Sequence, residues 1–434
     1  MESETLFQFR LLIVEDDNET LKDLDRALKR KFPNVNQYNW RLEKNGEDAW
    51  KQLTENRFHI VSIDQNIPDQ TGEQVDAENG LNLCERIVQH QLLTDRIIYT
   101  NYGRSAYSRR IGSLGGTPYL EKGLDSPEDE TCTAKGWSEF IASRLENHYI
   151  PFVLHESGRF LPLALADRAR RTHAAHQNQA HELYMRLWIE IWESILHLSY
   201  AQTLSLCSQA GISVAKMPDG TNAVEEDILL KAWSDLGSLG WLNPWLRYIG
   251  VGNKKTKRGA GARFIRRASE PFRDLRNDLA HSYSEDIWEA RVEENRESIL
   301  FLIDAIAFWI ENPLLTRLQF HPTNRRQVTG QAIMGDQLPF PNRTFDMPEL
   351  TNLPMPGSSH VYRIWHKEDG SPLILDLDPF MMLERDRQGR MHLLLFSHPA
   401  RERGKWLYRS LSNGRLQPRE LSSEAETAIR AVCR

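Results

Sequence analysis

The chain reads as a multidomain protein: a doubly wound α/β domain, then an all-α helical bundle, then a small antiparallel β-rich module. Three observations predict this. Over the first 150 residues apolar strands alternate with helical patterns, and each strand runs into a polar or charged residue. From Ile150 to about Asn312 a helical apolar period takes over and strand signals are scarce. Beyond Val361, short alternating segments are separated by glycine-containing turns. At 434 residues there is room for two or three domains. The boundaries expected are 1–149, 150–317, an extended linker over 318–359, and 360–434.

Composition is that of an ordinary globular protein, with 40% hydrophobic and 26% charged residues and a net charge of −6. No apolar run approaches the roughly 18 residues of a membrane span. The polar start MESETLFQFR lacks the pattern of a signal peptide. Cys84, Cys132, Cys207 and Cys433 are scattered, which argues against a zinc ribbon or a disulfide framework. A cytoplasmic chain with no membrane partner is the expectation.

In the α/β part, Phe9–Val14 is the first strand and ends in Glu15-Asp16-Asp17, with a helix following to about Lys31. Phe58–Ile63 is a second strand running into Asp64, Arg96–Tyr99 a third running into Thr100, and Pro118–Leu120 a short fourth leading to Lys122. A final helix is expected over Gly136–Tyr149, closed by Ile150-Pro151. A parallel sheet gathers the carboxyl ends of its strands on one edge, so these acids, the hydroxyl and the lysine would meet there. Clustered carboxylates repel one another unless a hard cation joins them, and the site therefore calls for Mg²⁺.

This arrangement resembles the receiver domain of response regulators, a flavodoxin-like fold, over nearly all of residues 7–149. The resemblance implies that Glu15, Asp16 and Asp64 hold the metal, with the backbone carbonyl of Asn66 in Asp64-Gln-Asn-Ile-Pro68 as a further ligand. It implies that Asp64 accepts a phosphoryl group from a histidine kinase or phosphotransfer protein. Thr100 and Lys122 would bind that group, and Tyr119 would be the aromatic that swings inward. Two features depart from the pattern. Eleven residues separate Pro68 from Gly80 where receivers carry about three, a polar insertion that borders Asp64. Gly123 follows Lys122 where a proline is usual, and a second, acidic insertion covers Leu124–Lys135.

In the middle segment, Ala180–Ser208 is one long helix, followed by Val224–Leu239, Pro244–Ile249, Ala262–His281 and Ile287–Ile310, a bundle of four or five helices. Seven of the twelve tryptophans fall here, at spacings that suit core packing. Arg273, Asn277 and His281 recur at i, i+4 and i+8 and share a helix face, and Arg276 reaches the same side. A guanidinium beside an imidazole can hold a phosphate and move protons near neutral pH. Ahead of this stretch Lys254, Lys255, Lys257, Arg258, Arg263, Arg266 and Arg267 form a glycine-containing run without a single acid, a natural phosphate attractor.

Arg276-Asn277-x-x-x-His281 resembles the signature of HEPN ribonucleases, helical domains of bacterial toxins and phage-defence proteins. The resemblance implies a homodimer that cuts RNA without metal. His281 would act as general acid or base, Arg276 would stabilise phosphate charge, and Asn277 would orient the site. Arg273 and the basic run would grip the backbone, and cleavage would leave a cyclic phosphate end. His173, His176 and His181 lie close in sequence, but no cysteine or well-spaced carboxylate completes a zinc set with them.

In the C-terminal module, strands are expected at Val361–Trp365, Leu373–Leu377, Phe380–Glu384, Met391–Phe396 and Trp406–Ser410, covered by a helix over Glu424–Cys433. His392 and His398 fit structural or surface roles there. The function expected is an RNA endonuclease controlled by phosphorylation, serving phage defence or growth arrest. The competing reading is a non-enzymatic response regulator whose bundle binds a protein or RNA.

Overall fold

The structure, a computed structural model, describes residues 7–34, 36–76, 78–101, 109–110, 112, 114, 117–122, 133–209, 211, 271–272, 274–276, 285–334, 340–347, 353, 360–366, 372–388, 390–400 and 404–433. The chain divides into two compact units, Met1–Val153 and Leu154–Arg434.

The first unit is built on a parallel five-stranded sheet in the order β2-β1-β3-β4-β5, comprising β1 (Phe9–Val14), β2 (Tyr38–Glu43), β3 (Ile60–Ile63), β4 (Asp95–Thr100) and β5 (Tyr119–Glu121). β1 and β3 are apolar and buried, as central strands covered on both faces must be, whereas β2 at the edge alternates exposed and half-buried residues. That half-polar edge strand is absent from the sequence expectation because its residues YNWRLE give no apolar run. Helices α1 (Asn18–Lys31) and α4 (Ala134–Ser143) pack together, as do α2 (Gly46–Glu55) and α3 (Asn79–Gln89). The indole N–H of Trp137 in α4 donates to Ser62 Oγ at 2.9 Å, tying that helix to the strand that ends at Asp64.

The helix expected to stop at Ile150-Pro151 instead continues. After α4 the backbone loosens into a π segment at Arg144–His148 and resumes as α5 (Tyr149–Phe160). Pro151 follows the π segment within this continuous helical run, at a place where the regular hydrogen-bond register has just changed. The boundary between the units falls within α5.

The second unit is organised around α7 (His181–Gln209), 29 residues long and flanked by α6 (Leu163–Gln177) and α8 (Glu285–Glu294). From Tyr184 onward it is buried on most sides, with Trp188, Trp192, Leu196 and Tyr200 all within the core, so it is a central helix rather than a surface one. Residues 271–272 and 274–276 are helical, and Phe272 stacks on Trp192. The expected single helix over Ile287–Ile310 is two, α8 and α9 (Arg296–Glu311), parted at Asn295. The expected helices Val224–Leu239 and Pro244–Ile249, and most of Ala262–His281, lie outside the described residues.

Two antiparallel sheets belong to the same unit as these helices. One has the order β10-β9-β6-β7-β8, from β6 (Leu315–His321), β7 (Asn324–Ala332), β8 (Asn342–Asp346), β9 (Tyr362–His366) and β10 (Pro372–Asp376). The other runs β11 (Met381–Arg385), β12 (Met391–Pro399), β13 (Lys405–Ser410) and β14 (Leu416–Glu420), with α10 (Ser423–Cys433) after it. The stretch expected as an extended linker over 318–359 thus carries most of a three-stranded meander. Its proline and asparagine content hides strands with polar outward positions, such as Arg317 and Gln319, the exposed neighbours of buried Leu318. Nor is the all-α region a bundle separate from the β module. Ser205 Oγ and Gln209 Nε2 of α7 donate to the carbonyls of Leu377 and Asp376, at 3.2 and 3.1 Å. Arg363 of β9 is fully buried between the rings of Phe308 and Trp309, 4.2 and 4.0 Å from their centroids, and bonds the Gln202 side-chain oxygen.

His197 of α7 is buried, and burial first, then the Arg409, Arg168 and Arg276 guanidinium groups, hold its pKa well below the ordinary value. The folded protein therefore keeps a neutral imidazole, while the unfolded chain binds a proton below pH ~6.5. Where the unfolded state binds more protons, stability rises with pH, so acidification must cost stability, by up to about 1.4 kcal/mol per pH unit. Urea denaturation is expected to show a lower midpoint near pH ~5 than near pH ~7, with a smaller difference in His197→Gln.

Candidate functional site

The acidic pocket forms where the strands of the first sheet end. β1 delivers Glu15 and Asp16, and β3 delivers Asp64, whose N–H continues the ladder onto the Val14 carbonyl at 2.8 Å. Thr100 closes β4 and is buried; Lys122 follows β5 and its N–H bonds the Thr100 carbonyl at 2.6 Å. Asp17 leaves the pocket to cap α1, accepting from the Thr20 N–H at 2.7 Å.

Glu15, Asp16 and Asp64 can each bring an oxygen within 4.8 Å of the others. Glu15 and Asp64 are buried and Asp16 is half-buried. Burial pushes the Glu15 carboxyl up to about 7, with neighbouring Asp64 adding to the rise and Lys122 opposing it. The Asp16 carboxyl is raised by burial and by Asp64. The Lys122 ammonium lies 2.7 Å from Asp64 Oδ2, also pairs with Glu15, and sits over the Tyr99 ring. An all-oxygen set of three converging carboxylates is what a hard divalent cation takes, so the residues fit Mg²⁺. Among the described residues this is the one group of three or more His, Cys, Asp or Glu side chains close enough to share an ion. His173, His176 and His181 form no such group with other described residues. Asn66 lies beside the pocket, its N–H 3.3 Å from Asp64 Oδ1.

Tyr119 donates its hydroxyl to Gln65 Oε1 at 3.0 Å, and Gln65 is the fully buried neighbour of Asp64. Sequence reasoning did not single out Gln65, and nothing in its local pattern marks it. Gly80, noted only as the end of the insertion, is the tightest point of the site. A Cβ there would stand 2.2 Å from the Asp64 carbonyl oxygen and 2.6 Å from Gln65 Cα. The insertion itself folds back through an antiparallel bridge between Ile67 and Asp76. The Pro68 and Asp69 carbonyls accept from the Gly46 and Glu47 N–H groups, which open α2 without intrahelical partners, and Asn45 bonds Thr71 Oγ1. Gly123 and most of Leu124–Lys135 lie outside the described residues.

A model of the response regulator receiver domain matches residues 11–130. Those residues form a receiver domain. Solved structures similar to this part of the chain include a CheY-like receiver domain protein from Methanospirillum hungatei JF-1, 19% identical over 32% of this chain and 94% of its own, with a TM-score of 0.26. They also include the non-phosphorylated HemR receiver domain from Leptospira biflexa, 23% identical over 33% of this chain and 94% of its own, with a TM-score of 0.25. A third is the Mn²⁺-bound form of response regulator Rcp1, 15% identical over 32% of this chain and 96% of its own, with a TM-score of 0.25. No curated protein matches the chain. No helix among the described residues is long and apolar enough to cross a membrane.

Of the residues the sequence points to for RNA chemistry, only Arg276 is described. It is 43% exposed, and its Nε lies 3.2 Å from Glu193 Oε1, a partner that sequence reasoning missed because it is distant in the chain. Asn277, His281, Arg273, Lys254, Lys255, Lys257, Arg258, Arg263, Arg266 and Arg267 lie outside the described residues.

The close approach at Gly80 yields a prediction with a definite sign. Alanine within a helix ordinarily gains up to about 1 kcal/mol over glycine. Here Gly80→Ala must displace backbone beneath Asp64, so a loss of about 1–3 kcal/mol in urea denaturation is expected, with slower phosphorylation by acetyl phosphate.

Proposed function

We propose that the chain is a phosphorylation-controlled ribonuclease, in which the receiver domain governs RNA cleavage by the second unit. What carries this reading is the union of two chemistries in one chain. A lysine-bridged acidic pocket stands at the strand ends, and Arg276-Asn277-x-x-x-His281 follows an acid-free basic run. Mg²⁺ held by Glu15, Asp16 and Asp64 would neutralise phosphoryl charge during transfer. An Asp64 oxygen attacks the phosphorus of a phosphohistidine on a kinase or phosphotransfer protein. The P–N bond breaks and the histidine ring leaves with a proton. The Thr100 hydroxyl and Lys122 ammonium then bind the new phosphoryl oxygens, and Lys122 exchanges a carboxylate partner for a phosphate one.

In the second unit, the RNA 2′-hydroxyl attacks the adjacent phosphorus and the bond to the 5′-oxygen breaks, leaving a cyclic phosphate and a free hydroxyl. His281 moves the proton, from the attacking hydroxyl or to the departing oxygen, and Arg276 takes up the charge that builds on the phosphate. Asn277 orients the site and Arg273 with the basic run holds the backbone. Such chemistry needs no metal. A homodimer that pairs two such sites, and a role in phage defence or growth arrest, complete the proposal on the strength of the resemblance.

The test is cleavage of total RNA and tRNA in EDTA by wild type and His281→Ala, with an Mg²⁺ arm with and without acetyl phosphate. Cuts ending in cyclic phosphate, absent with DNA and lost in the variant, are expected, together with a response to acetyl phosphate that Asp64→Ala lacks. Cleavage of DNA, or cleavage that EDTA abolishes, sinks the mechanism. A folded, phosphorylated protein that cuts nothing assigns the second unit to partner binding.

A further inference from the structure

The sheet of β11 to β14 carries a chain of hydrogen bonds that neither the receiver nor the RNA chemistry uses. β12 and β13 pair Leu394 with Ser410, and the Leu411 N–H bonds the Leu393 carbonyl. The same register, carried one step further, sets His392 opposite Ser412. His392 Nδ1 lies 2.7 Å from Ser412 Oγ, and His392 Nε2 lies 2.9 Å from Asp386 Oδ2. Behind them the buried Ser410 places its Oγ 2.8 Å from Ser412 Oγ. A hydroxyl, an imidazole and a carboxylate thus stand in line.

Each member fixes the state of the next. Asp386 Oδ1 accepts from the Gln388 and Arg390 N–H groups at 2.8 and 2.9 Å, which shapes the turn after β11. Oδ2 is left to His392 and to Arg390 Nε, the latter at 2.9 Å. The bond from His392, together with those from Arg390 and Gln388, holds the Asp386 carboxyl well below the ordinary carboxylate range. An ionised carboxylate only accepts, so the neutral imidazole keeps its proton on Nε2 and offers Nδ1 as an acceptor to the Ser412 hydroxyl. Ser410 then donates to Ser412 Oγ and steadies it. Glu384, opposite His392 on β11, is taken by two bonds from Arg419 at 2.6 and 2.5 Å, so it does not compete for the ring. Ser412 is exposed in the turn 411–413, and among the described residues the Ser412 and Asn413 N–H groups have no hydrogen-bond partner. A hydroxyl beside a base, a base oriented by a carboxylate, and free N–H donors next to the hydroxyl are the parts that acyl transfer requires. The two ring nitrogens exchange their usual places, which leaves the proton path unchanged.

We propose that Ser412, His392 and Asp386 form a second reactive site, an acyl-transfer triad that takes small esters from solvent. Ser412 Oγ bonds the ester carbonyl carbon while its proton passes to His392 Nδ1. The Ser412 and Asn413 N–H groups receive the charge on the carbonyl oxygen. The ester C–O bond breaks, and His392 returns the proton to the departing alcohol. Water adds to the acyl carbon by the same path, releasing the acid and restoring the Ser412 hydroxyl. Asp386 and Ser410 are positioning residues, one acting through the ring and the other through the Ser412 oxygen.

The test uses the full-length protein without RNA, so its outcome is independent of the ribonuclease reading. The probes are p-nitrophenyl acetate and an alkyl fluorophosphonate, whose P–F bond is replaced by a P–O bond to Ser412 as fluoride leaves. Mass spectrometry of the peptides is expected to find Ser412 modified at least about tenfold faster than Ser423, an exposed serine of the same chain. His392→Gln should slow modification of Ser412 by about 100-fold, the range of a lost general base. Asp386→Asn should slow it as well, because an amide can donate to the ring and favour the wrong tautomer. Acidification should slow the wild type as the imidazole gains a proton, and His392→Gln should lose that dependence. A cluster that only ties two turns together would shift thermal stability in the variants and leave Ser412 no more reactive than Ser423. Equal reactivity of the two serines in folded wild type, or an unchanged rate at Ser412 in folded His392→Gln, would overturn the inference. Acetate hydrolysis that persists in Ser412→Ala, with no acyl adduct on Ser412 in the wild type, overturns it too.

Discussion

The receiver domain depends on one ammonium group placed among carboxylates. Glu15, Asp16 and Asp64 are brought together because two neighbouring strands of a parallel sheet, β1 and β3, end side by side, and that topology is fixed by apolar burial regardless of the charge it concentrates. Without a cation the cost shows in Glu15, pushed up to about 7 by burial and by Asp64. Lys122 offsets it by pairing with Asp64 and Glu15 at once. Removing one member of a buried charge set typically costs about 3–5 kcal/mol, because the others are left unpaired. One ammonium group thus serves two buried carboxylates from different strands.

The second unit solves a different problem with similar means. Its central helix is apolar on nearly all sides, and two sheets and several helices are needed to cover it. Where polar groups enter, they are spanned by long flat side chains. Arg363 lies fully buried between two aromatic rings with the Gln202 oxygen as its partner. On the same helix, Glu190 pairs with Arg168 of α6 and Glu193 with Arg276. Buried arginine is tolerated at Arg363 because ring faces and a carbonyl-type oxygen replace water. Arg276, 43% exposed, is held by a carboxylate instead.

What could be read from the sequence follows from how local each signal is. The pocket was legible because each of its residues sits directly after an apolar strand, and strand ends are marked in the sequence itself. The lysine and the acids after β1 needed no knowledge of distant partners. Gln65 and Glu193 were not legible, since their roles come from Tyr119 and Arg276, far away in the chain. The strands within 318–359 were hidden for another reason. Their outward positions are polar and their connections rich in proline and asparagine, so composition spoke for a linker while the alternation of Leu318 with exposed Arg317 and Gln319 spoke for a sheet. Pro151 misled in the same manner, because a π turn just before it shifts the helical register and the helix runs on through the proline.

The insertion after Pro68 shows how a receiver can lengthen a loop beside its acceptor without disturbing it. The added residues leave the ladder at Ile67 and return to it at Asp76, so the loop is closed upon itself by the bridge between them. Two of its carbonyls satisfy the N–H groups that open α2, which fixes one side to a helix rather than to the pocket. At its far end Asn79 bonds the Ile67 carbonyl, and the Gly80 N–H bonds the Gln65 carbonyl, 3.0 and 3.1 Å apart respectively. Those two bonds draw the far end of the loop back beside Asp64. Gly80 thereby meets the Asp64 backbone so closely that only a residue without a Cβ can occupy that place.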